Sequence, residues 1–427
     1  MKTTFKFFAL AIVLTAFGAF APAFGQAASQ EECEAFYKKY LDNYKGPEIA
    51  KRKMAVEGGR QYIAKCAALD GSAEIIKYLN EKLPAIEKKI DFEETAAAFN
   101  DAIKDAKNVN ADVAFTSGKR LLNNHDPNMI DVMLVLASIG FDKAVAKPPV
   151  DTYNGDAVNF AKQAIQKIEG GTTSQQYGAY GFTYKTKDNA LAWMNYTVGY
   201  INYFRQNNKK DGLSYLYNAT KYNTGAKDNP RNLPVIYQTI GDFYKDEYNR
   251  LDDERVKLAK EAEGKTPEEA KAIADRVKGM LLLQKGYAER MIDAYGRARA
   301  LATTDKAYQE ALYGNLKVLY GFRFDGSNAA GLDSYISGLV TKPMPDPMSA
   351  VTPVPDTTPA TTTTTATPTT GSTLTATPTS NTTPTNARTT DANGTKQATT
   401  ANGATTTKTK TTTKTPAKPA PKKKGTR

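Results

Sequence analysis

The sequence predicts an all-α body, a right-handed superhelical array of antiparallel helix hairpins, followed by a tail with no core. Three observations carry this. Apolar residues across 30–342 recur at three- and four-residue spacing, while strand-like alternation is scarce. Stop signals such as Gly46-Pro47, Asp126-Pro127, Gly170-Gly171 and Asn229-Pro230 cut the body into helix-sized pieces. From about 342 the chain turns to Thr, Pro, Ala and Asn, and large apolar residues nearly vanish. A segment of that kind buries too little surface to offset its ordering entropy, so 343–427 is expected to be disordered.

Taken in order, residues 1–27 read as a secretory signal. Lys2 and Lys6 precede an uncharged apolar run over 7–21, and small residues follow at Ala21-Pro22-Ala23 and Gly25-Gln26-Ala27. The run is shorter than the ~20 residues a membrane-spanning helix needs. No cysteine follows it as a lipid-attachment point, and no later stretch is long and apolar enough to span. The expectation is an exported protein, periplasmic or secreted, with no transmembrane segment in the mature chain.

The N-terminal segment, 28–92, holds predicted helices at 31–44, 48–69 and 73–90, with Pro84 an irregularity in the third. Cys33 and Cys66 are the two cysteines of the chain, and each falls in a predicted helix. Antiparallel helices joined near Gly46-Pro47 can bring them together, and export exposes them to an oxidising compartment. A disulfide is the expectation; two buried free thiols are the alternative. A structural zinc needs about four ligands, so two cysteines and a single histidine predict no metal site.

The region 93–322 carries helices near 93–106, 114–121, 133–140, 156–168, 188–205, 212–221 and 234–250. A charged helical stretch follows over 252–285, then helices at 291–302 and 305–322. Asp211-Gly212 reads as a tight turn and Pro234 as the first turn of its helix. The charged stretch reads as an exposed arm on the last hairpin. The final helix places Tyr308, Leu312, Leu316 and Leu319 on one face, as a cap would, and 323–342 extends the body. The long connection 170–187, containing Tyr177-Gly178-Ala179-Tyr180-Gly181-Phe182, is either a functional loop or an insertion between repeats.

Two patterns recur through this region. Trp193-x2-Tyr196-Thr197-x2-Tyr200 returns as Tyr237-x2-Ile240-Gly241-x2-Tyr244, with Met133-x2-Leu136-Ala137-x2-Gly140 in the same register. The second reads Ala157-x3-Ala161-x2-Ala164, Gly212-x3-Leu216-x2-Ala219 and Met291-x3-Tyr295-x2-Ala298. Together they resemble the first and second helices of the tetratricopeptide repeat (TPR). Thr197 and Gly140 depart from the usual residues, and the spacing departs from the regular repeat length. The resemblance implies a TPR-like α-solenoid in which Met133, Ala137, Trp193, Tyr196, Tyr200, Ala219, Tyr237, Gly241, Tyr244 and Ala298 are packing residues. It further implies a concave groove lined by first helices. On the helix 234–250, Gln238, Asp242 and Lys245 fall on one side of the packed stripe. With Asn202 of the preceding repeat, they are the expected partner contacts.

Tyrosine is abundant, 24 residues against one tryptophan, and Tyr203, Tyr217 and Tyr222 lie outside the repeat pattern. They either pack beneath the next repeat or serve as contact residues, since aromatics offer area at little rotamer cost. His125, the single histidine, reads as a surface residue near a helix end. Asn195 and Asn218 match glycosylation acceptors but sit on predicted helices.

No nucleophile elbow, phosphate-binding glycine loop or His-Glu-x-x-His motif is present, so neither catalytic residues nor a cofactor site is predicted. Acidic pairs such as Glu31-Glu32, Glu93-Glu94 and Asp252-Asp253 read as solvated helix faces. A carboxylate-based hydrolase is the weakest of three readings. The net charge of +12 is uneven: 343–427 carries ten Lys/Arg against three Asp, and with Lys2 and Lys6 set aside the body is nearly balanced. Nucleic-acid binding is not indicated. The leading expectation is a scaffold that binds a protein or peptide in its groove. The alternative is an envelope structural protein whose basic tail holds an anionic polymer.

Overall fold

The structure, a computed structural model, describes residues 28–355 apart from 224, 226–227, 325 and 327–330, together with the backbone of 388–390 and 396–398. The signal pattern over 1–27 and most of the tail lie outside the described residues. The described body is all-helical, with twelve α-helices, and divides into two compact units, Met1–Met129 and Ile130–Arg427.

The first unit consists of α1 (Gln30–Asn43), α2 (Ile49–Lys65), α3 (Ser72–Ile103) and α4 (Ala111–Asn124), each packed on the next. Helix α1 starts with a capping box between Ser29 and Glu32, which satisfies two of its free backbone N–H groups. Cys33 on α1 and Cys66 at the end of α2 are bonded, with Cα atoms 5.9 Å apart. Around them Tyr40, Ala55, Tyr62, Leu79 and Leu83 form a closed core. Arg52 is buried beneath the α1–α2 turn; it donates to the carbonyls of Gly46 (2.9 Å) and Pro47 (2.6 Å) and pairs with Glu93.

Helix α3 corrects the sequence reading. It runs unbroken through Pro84 and across 90–93, where two helices were expected. A proline in a helix interior costs about 3 kcal/mol. Leu79, Leu83, Ile90, Phe99 and Ile103 are buried along the same helix, and their burial outweighs that cost.

The second unit holds α5 (Ile130–Ala144), α6 (Asn154–Glu169), α7 (Lys187–Tyr200), α8 (Lys209–Ala219), α9 (Pro234–Glu261), α10 (Pro267–Leu301), α11 (Lys306–Arg323) and α12 (Leu332–Val340). Helices α5 and α7 are buried on nearly every face, as their uninterrupted apolar and small residues require. A π-helical turn, Ile201–Arg205, ends α7. Helix α8 begins at Lys209, so Asp211-Gly212 lies in its first turn; the chain reverses before it, at Asn207, whose φ is 54°.

The charged stretch is not a separate element. It is the outer half of a long antiparallel pair, α9 with α10, whose second helix opens with a Thr266/Glu269 capping box and Pro267 at its first turn. At the base of this arm Gln284 is fully buried. Its amide donates to the Tyr248 carbonyl and to Asp252 (3.2 Å each), and its oxygen accepts from Arg255. The connection between α6 and α7 is tied to α5: Asp131 accepts from Ser174 Oγ (2.8 Å) and Gly178 N (2.7 Å), and the hydroxyls of Ser138 and Tyr184 meet at 2.6 Å. Beyond 355 the described backbone is one short antiparallel pair, β1 (Arg388–Thr390) with β2 (Lys396–Ala398).

Candidate functional site

The residues of the repeat pattern lie at helix crossings. Met133, Ala137, Trp193, Tyr196, Tyr200, Ala219, Tyr237, Gly241, Tyr244 and Ala298 are all buried. Phe141 of α5 receives the rings of Trp193, Tyr196 and Tyr200 of α7, with centroids 5.4 to 6.3 Å away. In the α9–α10 pair the Tyr295 ring rests on Gly241: a Cβ at 241 would sit 2.4 Å from the ring. In the α7–α8 pair the matching contact is not at Thr197 but at Gly199, where a Cβ would be 2.8 Å from Leu216. Helices that close need positions without a side chain; in this hairpin the pattern contains Gly212, where a Cβ would be 2.7 Å from Tyr203 N, but not Gly199, which lies two residues beyond Thr197.

The four expected partner contacts do not form one exposed set. Asn202 is 3% exposed, inside the π-helical turn, and its Nδ2 is buried without a hydrogen-bond partner. Gln238 is 5% exposed and its Oε1 accepts from the Tyr308 hydroxyl at 2.6 Å. Neither is available to a partner. For Gln238 the physical reason is α11, which brings Tyr308 onto the flank of α9. Asp242 and Lys245 stay half-buried. Asp242 accepts from the Tyr295 hydroxyl at 2.8 Å; burial pushes its pKa above the usual carboxylate range, against that hydrogen bond and the charge of Lys245. Nearby, Lys209 pairs with Asp246 at 3.5 Å and lies over the Tyr203 ring. Burial, with the Asp242 and Asp246 charges, pushes the Tyr203 hydroxyl up to about 12.

A second surface was hidden in the expected tail. Residues 343–355, read from sequence as disordered, lie along α10. Arg297 starts the path, donating to the carbonyls of Leu339 (2.9 Å) and Lys342 (2.6 Å). Met344 is 9% exposed, and its carbonyl accepts from the Tyr217 hydroxyl at 3.1 Å. A turn over 346–349 follows, with Pro347 buried. Ser349 accepts from Arg290 Nη2 at 3.1 Å. Val354 N then donates to the Leu282 carbonyl at 3.0 Å, inside the helix. That approach requires Gly286, where a Cβ would be 2.3 Å from the Thr352 carbonyl oxygen. The segment thus covers α10 from Arg297 to Leu282, about 22 Å at 1.5 Å per residue.

The remaining singled-out residues are structural in place. Tyr217 holds this segment, and Tyr222 donates to Glu169 at 3.2 Å. Asn195 is buried, with its amide on the Leu191 carbonyl, so it cannot accept a glycan; Asn218 is half-buried and accepts from Lys221. His125 is not a free surface residue. Its side chain is buried, Nε2 lies 2.8 Å from Asp91, and the Phe92 ring stands edge-on to it. Arg120 shares Asp91. Among the described residues no group of three His, Cys, Asp or Glu is placed to hold a metal ion, and no helix is long and apolar enough to cross a membrane. No family model, curated protein or solved structure matches the chain.

Proposed function

We propose that the chain is an exported, TPR-like helical scaffold that binds a protein or peptide partner without covalent chemistry. One observation carries the reading: the hairpins α5–α6, α7–α8 and α9–α10 follow one another in sequence, and α7 rests on both helices of the preceding hairpin. A hairpin stacked in this way leaves one face of the array free to recognise an extended ligand. The glycine contacts at 199 and 241, each on the first helix of its pair, support the TPR-like arrangement. The pattern over 1–27 supports export, and the Cys33–Cys66 bond fits an oxidising compartment.

The competing reading is an envelope structural protein retained by its basic tail. A crosslinking pull-down from the envelope fraction separates the two. The full mature chain is compared with a chain ending at Pro355, since ending it at Lys342 would strip an ordered segment from α10. Capture of the same protein by both supports the scaffold. Retention of the full chain alone, released by salt with no protein attached, overturns it in favour of the tether.

A further inference from the structure

We infer that the face of α10 covered by 343–355 is a binding site for an extended, proline-interrupted peptide of a partner protein, one with an acidic side chain opposite Arg290. The chain's own segment is its occupant in cis. The inference rests on the scaffold reading for the existence of a partner, and on this surface for its chemistry.

The seated segment shows what the surface accepts. Met344 and Pro347 point inward, Val351 and Val354 are half-buried, and the residues between them are mostly exposed. Recognition therefore depends on a few apolar anchors at three- and four-residue spacing. Pro343, Pro345 and Pro347 limit the entropy lost on docking, as in other proline-rich ligands. The segment itself forms neither helix nor strand, so its release unfolds no element of the body.

The contact at 349 is a neutral one. Arg290 donates Nη2 to the Ser349 hydroxyl, and its charge and hydrogen bonding also act on the buried Tyr244 hydroxyl beside it. A carboxylate in place of the Ser349 hydroxyl would engage the guanidinium through two charged hydrogen bonds, which are shorter and stronger than neutral ones. A ligand carrying one outcompetes the resident segment. Gly286 supplies the opening through which a peptide N–H reaches the Leu282 carbonyl.

The test is fluorescence anisotropy with a labelled 342–355 peptide carrying Ser349→Asp. It is titrated with the full chain and with a full-chain Met344→Asp/Val354→Asp variant whose own segment is undocked. The undocked chain is expected to bind about tenfold more tightly, since the resident segment taxes the wild type. The unsubstituted peptide is expected to bind it roughly tenfold more weakly, or about 1.4 kcal/mol. Adding Gly286→Leu fills the opening, and adding Arg290→Ala removes the anchor without adding bulk; each should abolish binding. Equal anisotropy for the undocked chain and both blocked chains overturns the site. Dimerisation of the undocked chain without peptide capture assigns the surface to a second copy and overturns the partner. If the peptide fails while the chain ending at Pro355 still captures its protein, this site is wrong and the scaffold stands. Peptide binding without any captured protein sinks the scaffold reading instead.

Discussion

Tyr295 of α10 packs its ring against Gly241 of α9 and donates its hydroxyl to Asp242, one residue further on, at 2.8 Å. The missing side chain at 241 lets the helices close, and the carboxylate at 242 satisfies the polar end of the ring that fills the gap. Apolar packing and a buried hydrogen bond therefore share one contact.

Gly241→Ala places a methyl group 2.4 Å from the Tyr295 ring, so the α9–α10 pair must open or the ring must move. Overpacking of this kind costs about 1–3 kcal/mol. Urea unfolding should show that loss, and a Gly241→Ala/Tyr295→Leu double variant should lose less than the two single changes added together. Simple additivity would mean that 241 and 295 are not coupled.

Asp242 should give the second unit an acid-side pH dependence. Its folded-state pKa is raised, chiefly by burial, so the folded chain holds the proton at pH values where the unfolded chain has released it. The stability penalty is complete above the raised pKa and is relieved as pH falls towards the ordinary value of 3.8. The melting temperature of the wild type relative to Asp242→Asn should therefore rise on acidification across that window. Asp293, raised for the same first cause, acts in the same direction. A constant difference between the two proteins from neutral pH to pH 4 would refute the assignment.

At the alkaline end the tyrosines should limit stability. Tyr200, Tyr203, Tyr222 and Tyr244 are each pushed up to about 12, first by burial. In the unfolded chain they ionise near the ordinary value of 10.0, so stability is lost as pH rises from there. Absorbance titration should resolve an early exposed class and a late class that appears together with the loss of helical circular dichroism. A single class with the ordinary pKa would contradict the burial of these rings.

The Cys33–Cys66 bond closes a loop with a sequence separation of 33. Chain entropy assigns such a loop about 3–4 kcal/mol. Reduction, or Cys33→Ser with Cys66→Ser, should lower the melting transition of the first unit by a corresponding amount. Calorimetry with and without reductant checks this; an unchanged transition would show that Tyr40, Tyr62, Leu79 and Leu83 suffice alone.

A chain ending at Lys342 should be less stable than one ending at Pro355. It loses the burial of Met344, about 1.5–3 kcal/mol for a fully buried side chain, and leaves Tyr217 and Arg290 without their partners in the segment. Equal unfolding midpoints would mean that 343–355 adds nothing to the fold.

Helix identity and hairpin order were legible because the 3.6-residue period is local: each helix declares its buried face within a dozen residues. Gly241 could be singled out in this way, and the face of Tyr308, Leu312, Leu316 and Leu319 on α11 was visible too. The same periodicity did not say where that face would land. Tyr308 takes up Gln238 from 70 positions away, turning an expected contact residue into a buried one. Asn202 is buried within a π-helical turn, and a single turn leaves no periodic trace in the sequence.

The break expected in α3 and the tail boundary expected at 343 failed for related reasons. The expected break lay between 90 and 93, beyond the irregularity at Pro84, and a Thr/Pro-rich stretch followed 342. Burial decided otherwise in each place: Ile90, Thr95 and Phe99 are buried along one unbroken α3, and Met344 and Pro347 seat a proline-rich segment on α10. Local spacing thus specified the helices and their apolar stripes. Which polar residues stay exposed, and which coil segment is held, depended on Gly286, Arg290, Arg297 and Tyr217 arriving at one surface from two helices. That convergence is a property of packing between distant stretches of chain, and no window along the sequence contains it.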